Sequence, residues 1–262
     1  MGILNVTPDS FADNAPCTDT DAAVDCALRL EAAGADIIDV GGESTRPGAD
    51  PVPADQERRR VLPVIERLAG RLTIPLSIDT YKASVADEAL AAGALMVNDV
   101  SGLSYDSSLG GVVARRGAAL VLMHTRGRSK TMYREAVYEA VEREVADELR
   151  AAIERATTAG IAFDRLVLDP GLGFAKRAQH SYRVLAALAD LAALDRPLLV
   201  GPSRKSFLTQ AVGDVAPAAR DWATAGAVAA AVLLGAHIVR VHNVAAMREV
   251  VRVVDMVLTE TP

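Results

Sequence analysis

The chain has 262 residues, of which 50% are apolar and 4% aromatic, and its formal net charge at pH 7 is −6. This length is typical of one large α/β domain or two small ones, and we expect a single domain over residues 1–262. The lack of any basic block argues against nucleic acid as a partner, and no apolar run reaches the ~18 residues of a membrane span.

The two cysteines, Cys17 and Cys26, have neither a metal-binding nor a redox spacing, and two are too few for a disulfide framework. No basic segment followed by a cleavable apolar one opens the sequence, so a secretory signal is not expected. Both observations favour a reducing, cytoplasmic location.

Eight short apolar runs occur along the chain, and a helix-like segment follows each of them. The runs are residues 2–4, 36–40, 76–78, 95–97, 119–123, 166–168, 198–200 and 238–241. Strands that alternate with helices predict a parallel sheet, and eight such units in about 250 residues predict a closed (β/α)8 TIM barrel. The alternative is an open, doubly wound sheet. Against it, no Gly-x-Gly-x-x-Gly follows the first strand, and Gly171-Leu172-Gly173 alone is a weak signal.

Apolar spacing also predicts the helices. One face repeats every four residues and ends at Gly160, a typical helix stop; its members are Val137, Val141, Val145, Leu149 and Ile153. A similar stripe near the C-terminus consists of Met247, Val250, Val251, Val254 and Leu258. Residues 223–235 predict a packed helix rich in Ala and Gly. The segment after Pro53 has a helical pattern that contains Pro63, so we expect a kink or a break there.

Polar residues follow all eight predicted strands. They are Asn5, residues 43–46, Asp79, Asn98 with Asp99, His124, Asp169, residues 203–205, and Arg240 with His242 and Asn243. In a barrel the carboxyl ends of the strands share one face, so these side chains are expected to converge. A helix cap or a loop explains any one of them, but the whole set predicts a ligand site.

The predicted site contains groups for a flat ring. Asp79, Asn98 and Asp169 offer the carboxylate and amide groups that a 2-amino-pyrimidinone edge requires. Lys205 can donate to a ring nitrogen or carbonyl. The alternatives for Lys205 are a surface lysine at a helix start and a Schiff-base nucleophile, the latter less favoured beside Arg204.

A second group of residues favours an anion. Arg46, Arg240 and His242 are cationic or can become so, and Asn5 adds a neutral oxygen, which together suit a phosphate or pyrophosphate with bound Mg²⁺. The sequence contains no His/Cys cluster of the kind that zinc requires. His124 has no evident partner in the sequence, and a structural role is favoured for it.

Two of the predicted strand-to-helix loops are long. Residues 6–14 are polar with one aromatic, Phe11, which is typical of a mobile lid. Residues 41–49 place turn-forming residues around Thr45 and Arg46. Their length exceeds the usual few residues of such connections, which favours function over simple linkage.

These residues carry a resemblance to bacterial dihydropteroate synthase, a family of pterin-binding barrels, over essentially the whole chain. The matching stretches are MGILNVTPDSF (1–11), GGESTRPGA (41–49), SIDTYK (77–82), NDVSG (98–102), LMH (122–124), DPGLGFAK (169–176), SRK (203–205) and RVH (240–242). The resemblance implies a transferase that joins p-aminobenzoate to 6-hydroxymethyl-7,8-dihydropterin diphosphate for folate synthesis, releases pyrophosphate and is the target of sulfonamides.

The resemblance also implies roles for individual residues. The pterin would be held by Asp79, Asn98, Asp169, Lys205 and Arg240. The diphosphate would be held by Asn5, Arg240 and His242, with Asn5 also a ligand of Mg²⁺. The p-aminobenzoate would be held by Thr45, Arg46, Pro47, Phe174, Ser203 and Lys205. Asp9 and Asp13 would act with Asp79, Asp169, Lys205 and Arg240 in catalysis, from a first loop that closes. A cytoplasmic homodimer is implied, formed through C-terminal helices that include residues 222–234.

The chain departs from the family pattern at a few positions. Asn243 replaces a common Asp after the histidine, so support of His242 is expected to be weaker. Ala175 replaces a common Gly, and Ala15 with Pro16 occupies a stretch of the first loop that is often Gly-rich. Two rival functions remain: a related barrel that transfers a methyl group from methyltetrahydrofolate, which needs no diphosphate pocket, and a non-catalytic protein that binds a pterin or a partner.

Overall fold

A computed structural model describes residues 1–7 and 19–260 of the chain. The strands are β1 (Gly2–Asn5), β2 (Ile38–Gly41), β3 (Leu76–Asp79), β4 (Met96–Asp99), β5 (Ala119–Met123), β6 (Leu166–Asp169), β7 (Leu199–Val200) and β8 (Ile238–Val239). The α-helices are α1 (Thr20–Ala32), α2 (Ala54–Leu68), α3 (Ala83–Ala91), α4 (Leu109–Arg116), α5 (Val141–Thr158), α6 (Ala178–Ala186), α7 (Thr209–Val212), α8 (Asp221–Leu233) and α9 (Val244–Thr259).

The strands form a closed parallel barrel. Strands β1 to β6 pair in chain order, and β7 pairs with β8. The amide of Leu168 donates to Pro197 O at 2.9 Å and joins β6 to the β7 side. Val241 N donates to Met1 O and Ile3 N donates to Val241 O, both at 3.0 Å, so the last strand returns to the first. The predicted (β/α)8 barrel is confirmed, and the open sheet is excluded because its edge strands would not meet.

Alternation along the strands separates two buried regions. One face of the strands packs against the helices and joins the larger core; it includes Leu4, Val40, Ile78, Val97, Leu120, Leu168, Val200 and Val241. The other face points into the barrel. Its apolar members form a separate buried cluster of Met1, Val121, Val167 and Leu199, with Ile37, Met96 and Ile238 packed on it.

Strand register builds a polar layer above this cluster. Asn5 lies opposite Gly41, Gly41 opposite Asp79, and Asp79 opposite Asn98 on four successive strands. These positions follow the inward-facing residues of the same strands at intervals of two, so they also face the barrel interior. Sequence positions 93 residues apart, from 5 to 98, therefore meet at one mouth.

Helix α5 differs from its prediction at its first residue. Val141, Val145 and Leu149 are buried as expected. Val137, however, precedes the helix and is 73% exposed, so its assignment to the helical face is wrong. A spacing of four extends equally well into a loop, and only packing against the barrel decides where such a helix begins. The helix ends just before Gly160, whose φ of +91° suits glycine.

The break expected in the segment after Pro53 is absent. Helix α2 continues through Pro63, and Val61, Val64, Ile65 and Leu68 on its inner face are fully buried. An internal proline costs about 3 kcal/mol through the lost hydrogen bond and its ring clash. Full burial of each large apolar side chain contributes about 1.5–3 kcal/mol, so packing on both sides of Pro63 outweighs that cost.

The C-terminal part of the barrel carries two further predicted helices. Residues 223–235 fall largely in α8, whose Ala227, Val228 and Ala231 are buried. In α9, Met247 and Val254 of the predicted stripe are buried. Within the described residues, none of the helices is both long and apolar enough to traverse a bilayer.

Candidate active site

Arg240 joins two acids inside the barrel. Its Nε donates to Asp39 Oδ2 at 2.6 Å, and its Nη2 donates to Asp79 Oδ2 at 2.8 Å. Asn98 Nδ2 donates to the same oxygen of Asp39 at 2.9 Å. Asp39 is fully buried, and its other oxygen has no hydrogen-bond partner among the residues that the structure describes. Arg240 and Asn98 thus both donate to Asp39 at the floor of the pocket, and Arg240 links Asp39 to Asp79.

This arrangement perturbs the ionisation of Asp79. Burial raises the pKa of Asp79 to about 7, and Arg240 opposes the rise while the charge of Asp39 adds to it. For Arg240, burial lowers the pKa, but Asp39 and Asp79 outweigh this and raise it. Two carboxylates therefore share one permanent cation. Asp79 can hold a proton near neutrality and so can present either a donor or an acceptor to a ring.

Asp169 and Lys205 form the second half of the pocket. Asp169 ends β6, and its Oδ1 accepts from Gly171 N at 2.7 Å. Burial raises the pKa of Asp169, while Lys205 and the Gly171 amide oppose the rise. Burial lowers the pKa of Lys205 to about 8, with Asp169 and Asp79 opposing the fall and Arg240 adding to it. These mutual effects place the acids and cations of both halves around one space.

Two contacts fix the Lys205 ammonium. Lys205 Nζ donates to Leu172 O at 2.6 Å and lies 4.6 Å from the centre of the Phe174 ring. Both partners belong to the loop after β6. The alternative of a surface lysine is wrong, because Lys205 precedes a short 3₁₀ helix (Ser206–Leu208) but its ammonium points back to the barrel mouth.

His242 offers a hydrogen bond to a ligand. Its Nδ1 lies 2.9 Å from Ser203 Oγ, and its backbone amide donates to the same hydroxyl at 3.2 Å. Burial and then Arg240 lower the pKa of His242 to about 3, so the ring is neutral at physiological pH. A Ser203 hydroxyl that donates to Nδ1 leaves the proton on Nε2. His242 then acts as a donor of a hydrogen bond and contributes no full charge.

The loop from Gly41 to Ala49 is held at its base and at its tip. Lys82 pairs with Glu43 of the loop and with the buried Glu57 of α2. At the tip, Gly48 N donates to Ser129 O of the β5–α5 connection at 2.9 Å. The predicted p-aminobenzoate residues lie between these points, with Thr45 half-buried and Arg46 and Pro47 exposed. Arg46 is close enough to His242 to lower its pKa, so the loop faces the same mouth.

Asn5 lies at the end of β1 beside Gly41, which has no side chain. A Cβ added to Gly41 would lie 3.8 Å from Asn5 Oδ1 and 3.5 Å from Asp79 Oδ2. The missing side chain therefore leaves a small space lined by an amide and a carboxylate oxygen. Mg²⁺ commonly takes one or two protein oxygens together with substrate phosphates and waters, so this donor set fits it. Among the described residues, no three His, Cys, Asp or Glu side chains gather as a metal site.

Some functional residues escaped the sequence prediction. Asp39 falls inside the apolar run 36–40, where a carboxylate within a buried strand was the available signal. Lys176 closes the DPGLGFAK stretch without an assigned role, yet it is 1% exposed and contacts His124. His124, which had no evident partner, also contacts Glu148 at 3.0 Å. Of the remaining predicted residues, Asp9 and Asp13 lie outside the described part of the chain.

Asn243, which stands where the family commonly has Asp, makes hydrogen bonds to two helices. Its Oδ1 caps α9 by accepting from Ala246 N at 3.3 Å, and its Nδ2 donates to Asp221 Oδ2 at 2.9 Å. Asp221 in turn accepts from Arg204 Nε at 2.8 Å. Asn243 therefore ties the end of the barrel to α8 and the loop after β7, while Ser203 supports His242.

Comparison with known proteins identifies relatives of the whole chain. Residues 1–242 match the family described as pterin binding enzyme. A relative from Escherichia coli (strain K12), named dihydropteroate synthase, is 44% identical over 259 residues, covering 99% of this chain and 91% of the relative. The Yersinia pestis dihydropteroate synthase with a sulfonamide drug has a TM-score of 0.95 at 41% identity, covering 99% of this chain and 94% of its own. The Xanthomonas albilineans dihydropteroate synthase with 4-aminobenzoic acid has a TM-score of 0.92 at 42% identity, covering 100% and 93%.

Proposed function

The chain belongs to the pterin-binding enzyme family, and from this membership we propose that it catalyses the dihydropteroate synthase reaction. It condenses 6-hydroxymethyl-7,8-dihydropterin diphosphate with p-aminobenzoate, forming 7,8-dihydropteroate for folate synthesis and releasing pyrophosphate. The observation that carries the proposal is the gathering of two carboxylate–cation pairs, Asp79 with Arg240 and Asp169 with Lys205, around one barrel mouth.

The pterin binds among Asp79, Asn98, Asp169, Lys205 and Arg240. Asn98 already donates its amide nitrogen to Asp39, so its Oδ1 is the group left for a ring N–H. One oxygen of Asp169 is engaged by the Gly171 amide, which leaves the other for the ring. The mixture of acceptors, a donor amine and a carboxyl that titrates near neutrality supports recognition of a ring edge that carries both donors and acceptors.

The diphosphate binds at Arg240, His242 and Asn5. Arg240 supplies permanent charge, and neutral His242 supplies a hydrogen bond through Nε2. Asn5 Oδ1 would hold Mg²⁺ in the space beside Gly41. The ion would supply positive charge to the diphosphate leaving group.

The p-aminobenzoate binds between the Gly41–Ala49 loop and the loop after β6. Thr45, Arg46 and Pro47 line one side, with Arg46 suited to a carboxylate. Phe174, Ser203 and Lys205 line the other. The same space accepts sulfonamides, which resemble p-aminobenzoate in shape. The Yersinia pestis relative, solved with a sulfonamide drug, supports this part of the proposal.

The reaction is an SN1-like substitution. The bond between the pterin methylene carbon and the diphosphate oxygen breaks first, and its electron pair leaves with the diphosphate. Arg240 stabilises this leaving group, and the carboxylates Asp79 and Asp169 stabilise the cation that remains on the pterin. The amine lone pair of p-aminobenzoate then forms the carbon–nitrogen bond, and the nitrogen loses one proton to water. An aromatic amine needs no strong base, so the protein acts by positioning and charge neutralisation.

The test measures both products with the full chain. Pyrophosphate and 7,8-dihydropteroate are expected in a one-to-one ratio when both substrates and Mg²⁺ are present. Chelation of Mg²⁺ is expected to lower kcat/KM, because the departing charge loses its counter-ion. A control substitution of an exposed carboxylate, Asp164→Asn, should leave the rate unchanged. Absence of both products would refute the function, and methyl transfer from methyltetrahydrofolate would replace it with the rival activity.

The assembly is proposed to be a cytoplasmic homodimer. Apolar side chains remain exposed on the adjoining helices α8 and α9: Trp222 (90% exposed), Leu233, Val253 and Met256. Patches of this kind on a surface support an interface with another protein, and we assign it to a second copy of this chain. The cytoplasmic location rests on composition alone, with only two cysteines in the chain.

A further inference from the structure

Lys176 is a buried lysine that lies beneath the site without lining it. It is 1% exposed and is among the largest fully buried side chains of the described residues. Its Nζ lies 2.7 Å from His124 Nδ1, and it donates to Phe174 O at 3.1 Å and to Gly171 O at 3.2 Å. It also donates to His124 O at 3.4 Å, so two of its four contacts are carbonyls of the loop after β6.

The chain of contacts continues to the surface. His124 Nε2 lies 3.0 Å from Glu148 Oε2, and Arg126 Nε donates to Glu148 Oε1 at 3.0 Å. Burial and then Lys176 lower the pKa of His124 to about 4, so its ring is neutral. A neutral ring that donates from Nε2 to a carboxylate must accept at Nδ1. Lys176 Nζ is therefore the donor to His124, and Glu148 fixes the tautomer that receives it.

The loop after β6 bends around Lys176 Nζ. Gly171 has a φ of +68°, and a Cβ there would lie 2.0 Å from His124 O. Ala175 has a φ of +47°, although it is not glycine, and its carbonyl accepts from the Tyr138 hydroxyl at 3.0 Å. Residues other than glycine hold such a conformation only where the surroundings enforce it. Lys176 holds Phe174 O and Tyr138 holds Ala175 O, so the carbonyls on both sides of this φ are anchored.

Leu172 and Phe174 of this loop are the residues that hold Lys205. Leu172 lies directly after Gly171, and its carbonyl accepts from Lys205 Nζ at 2.6 Å. Phe174, whose carbonyl Lys176 binds, places its ring 4.6 Å from the same Lys205 nitrogen. Both contacts that fix the Lys205 ammonium come from a backbone segment that Lys176 pins at each end.

We propose that Lys176 is a positioning residue that holds the loop after β6 and thereby fixes the Lys205 ammonium at the mouth of the barrel. Lys176 Nζ supplies the hydrogen-bond donor that the inward-pointing carbonyls of this loop would otherwise lack. His124 and Glu148 orient Lys176 from the other side. The effect on substrates rests on the proposed function, because Lys205 is assigned there to both the pterin and p-aminobenzoate.

The first experiment substitutes Lys176→Met in the full chain, which keeps the length of the side chain and removes its donors. Because Lys205 loses its fixed position, kcat/KM for p-aminobenzoate is expected to fall roughly 10- to 100-fold. The matched control is Lys130→Met, since Lys130 is 58% exposed and pairs only with Asp50 among the described residues. The control should leave kcat/KM unchanged.

The second experiment observes Lys205 directly and does not depend on activity. The chain contains four lysines, at 82, 130, 176 and 205, so ¹³Cε-lysine labelling gives four NMR signals. The Lys205 signal is assigned by its loss in Lys205→Arg. In Lys176→Met the Lys205 signal is expected to shift, while the Lys82 signal, which reports a separate ion-pair network with Glu43 and Glu57, stays in place.

The outcomes separate the proposals. If Lys176→Met folds with unchanged kcat/KM and an unmoved Lys205 signal, the positioning role is overturned, even if the melting temperature falls. If Lys176→Met does not fold, Lys176→Leu, which also lacks donors and is smaller, is measured in the same way, and the same unchanged result overturns the role. If the unsubstituted chain makes no dihydropteroate, the proposed function fails, whereas the Lys205 signal still decides the role of Lys176.

Discussion

At the scale of single residues, the described part of the site has three buried or half-buried acids and two half-buried cations: Asp39, Asp79 and Asp169 with Arg240 and Lys205. Asp39 and Asp79 share Arg240, and Asp169 lies with Lys205. Burial penalises the charged forms, so the pKa values of Asp79 and Asp169 rise and that of Lys205 falls. A pocket in this state gains from a ligand that brings its own donors, acceptors and charges, and this is what a pterin diphosphate provides.

The substitution Asp79→Asn tests the assignment of that acid. Without the carboxylate, the cation that forms on the pterin loses a stabilising charge, and kcat is expected to fall by roughly 100-fold or more. Binding of pyrophosphate should change much less, because its contacts are assigned to Arg240, His242 and Asn5. Steady-state rates and calorimetric titration of pyrophosphate measure the two effects. Equal losses in both would contradict the assignment.

Lys176 predicts a specific dependence of stability on pH. Burial lowers its folded-state pKa to about 7 from its ordinary value of 10.5, with Asp169 and Glu148 opposing the fall and Lys205 and Arg126 adding to it. Between these two values the unfolded chain binds a proton that the folded chain does not. The free energy of unfolding should therefore rise with pH in this window, by up to about 1.4 kcal/mol per pH unit for the one proton.

Denaturant unfolding at several pH values from 7 to 10 measures this dependence, with Lys176→Met as the reference chain. The difference between the two chains isolates the one titrating group, because all others are shared. A difference that stays constant from pH 7 to 10 would contradict a lowered pKa for Lys176.

At the scale of elements, the loops after the strands carry the chemistry, and the backbone of the loop after β6 is the most constrained. Gly171, Gly173 and Ala175 all have positive φ values within five residues. The loop folds back onto the backbone of His124 at the end of β5. Its shape therefore depends on the absence of a side chain at Gly171 as well as on Lys176.

The variant Gly171→Ala, compared with a control glycine, tests the close approach of the loop to His124 O separately from the positive φ of residue 171. The new Cβ would meet His124 O at 2.0 Å, and a backbone carbonyl in a closed barrel has little freedom to move. Gly117→Ala is the matched control, since Gly117 has a similar φ of +63° and nothing within 4 Å. The control should cost about 1–2 kcal/mol of unfolding free energy from conformation alone. Gly171→Ala should cost about 2 kcal/mol more than that, because the clash adds to it.

Thermal or denaturant unfolding of the two variants gives this comparison. The activity of Gly171→Ala should also fall, because Leu172 and Lys205 move with the loop. Equal destabilisation of the two variants would mean that the approach to His124 is not a constraint.

At the scale of the whole molecule, the exposed apolar surface concentrates on the last two helices. We expect the chain to form dimers through this surface, and Val253→Glu should shift the mass in light scattering towards that of one chain. An introduced carboxylate at an interface loses its hydration without gaining a partner. The matched control is Val137→Glu, since Val137 is 73% exposed before α5. A monomeric unsubstituted chain, or an unchanged mass for Val253→Glu, would refute this interface.

The sequence by itself determined the barrel and the positions of the strand-end residues. Both are local properties: short apolar runs, helical spacing and the polar residue that follows each run are legible without knowledge of partners. The same local logic was wrong about a break at Pro63, where the predicted helix continues, and about Val137 as part of a helical face. Burial of α2 against the barrel outweighs the proline, and loop packing leaves Val137 in solvent.

Only the tertiary structure decided which groups meet. Arg240 and Asp39 are 201 positions apart, and Lys176 and His124 are 52 apart, so no local pattern links them. The closure of the barrel brings the last strand beside the first and the loop after β6 onto β5. Burial then sets the protonation of Asp79, His242 and Lys176. Desolvation depends on all the groups that surround a residue in space, and its neighbours along the chain do not specify them.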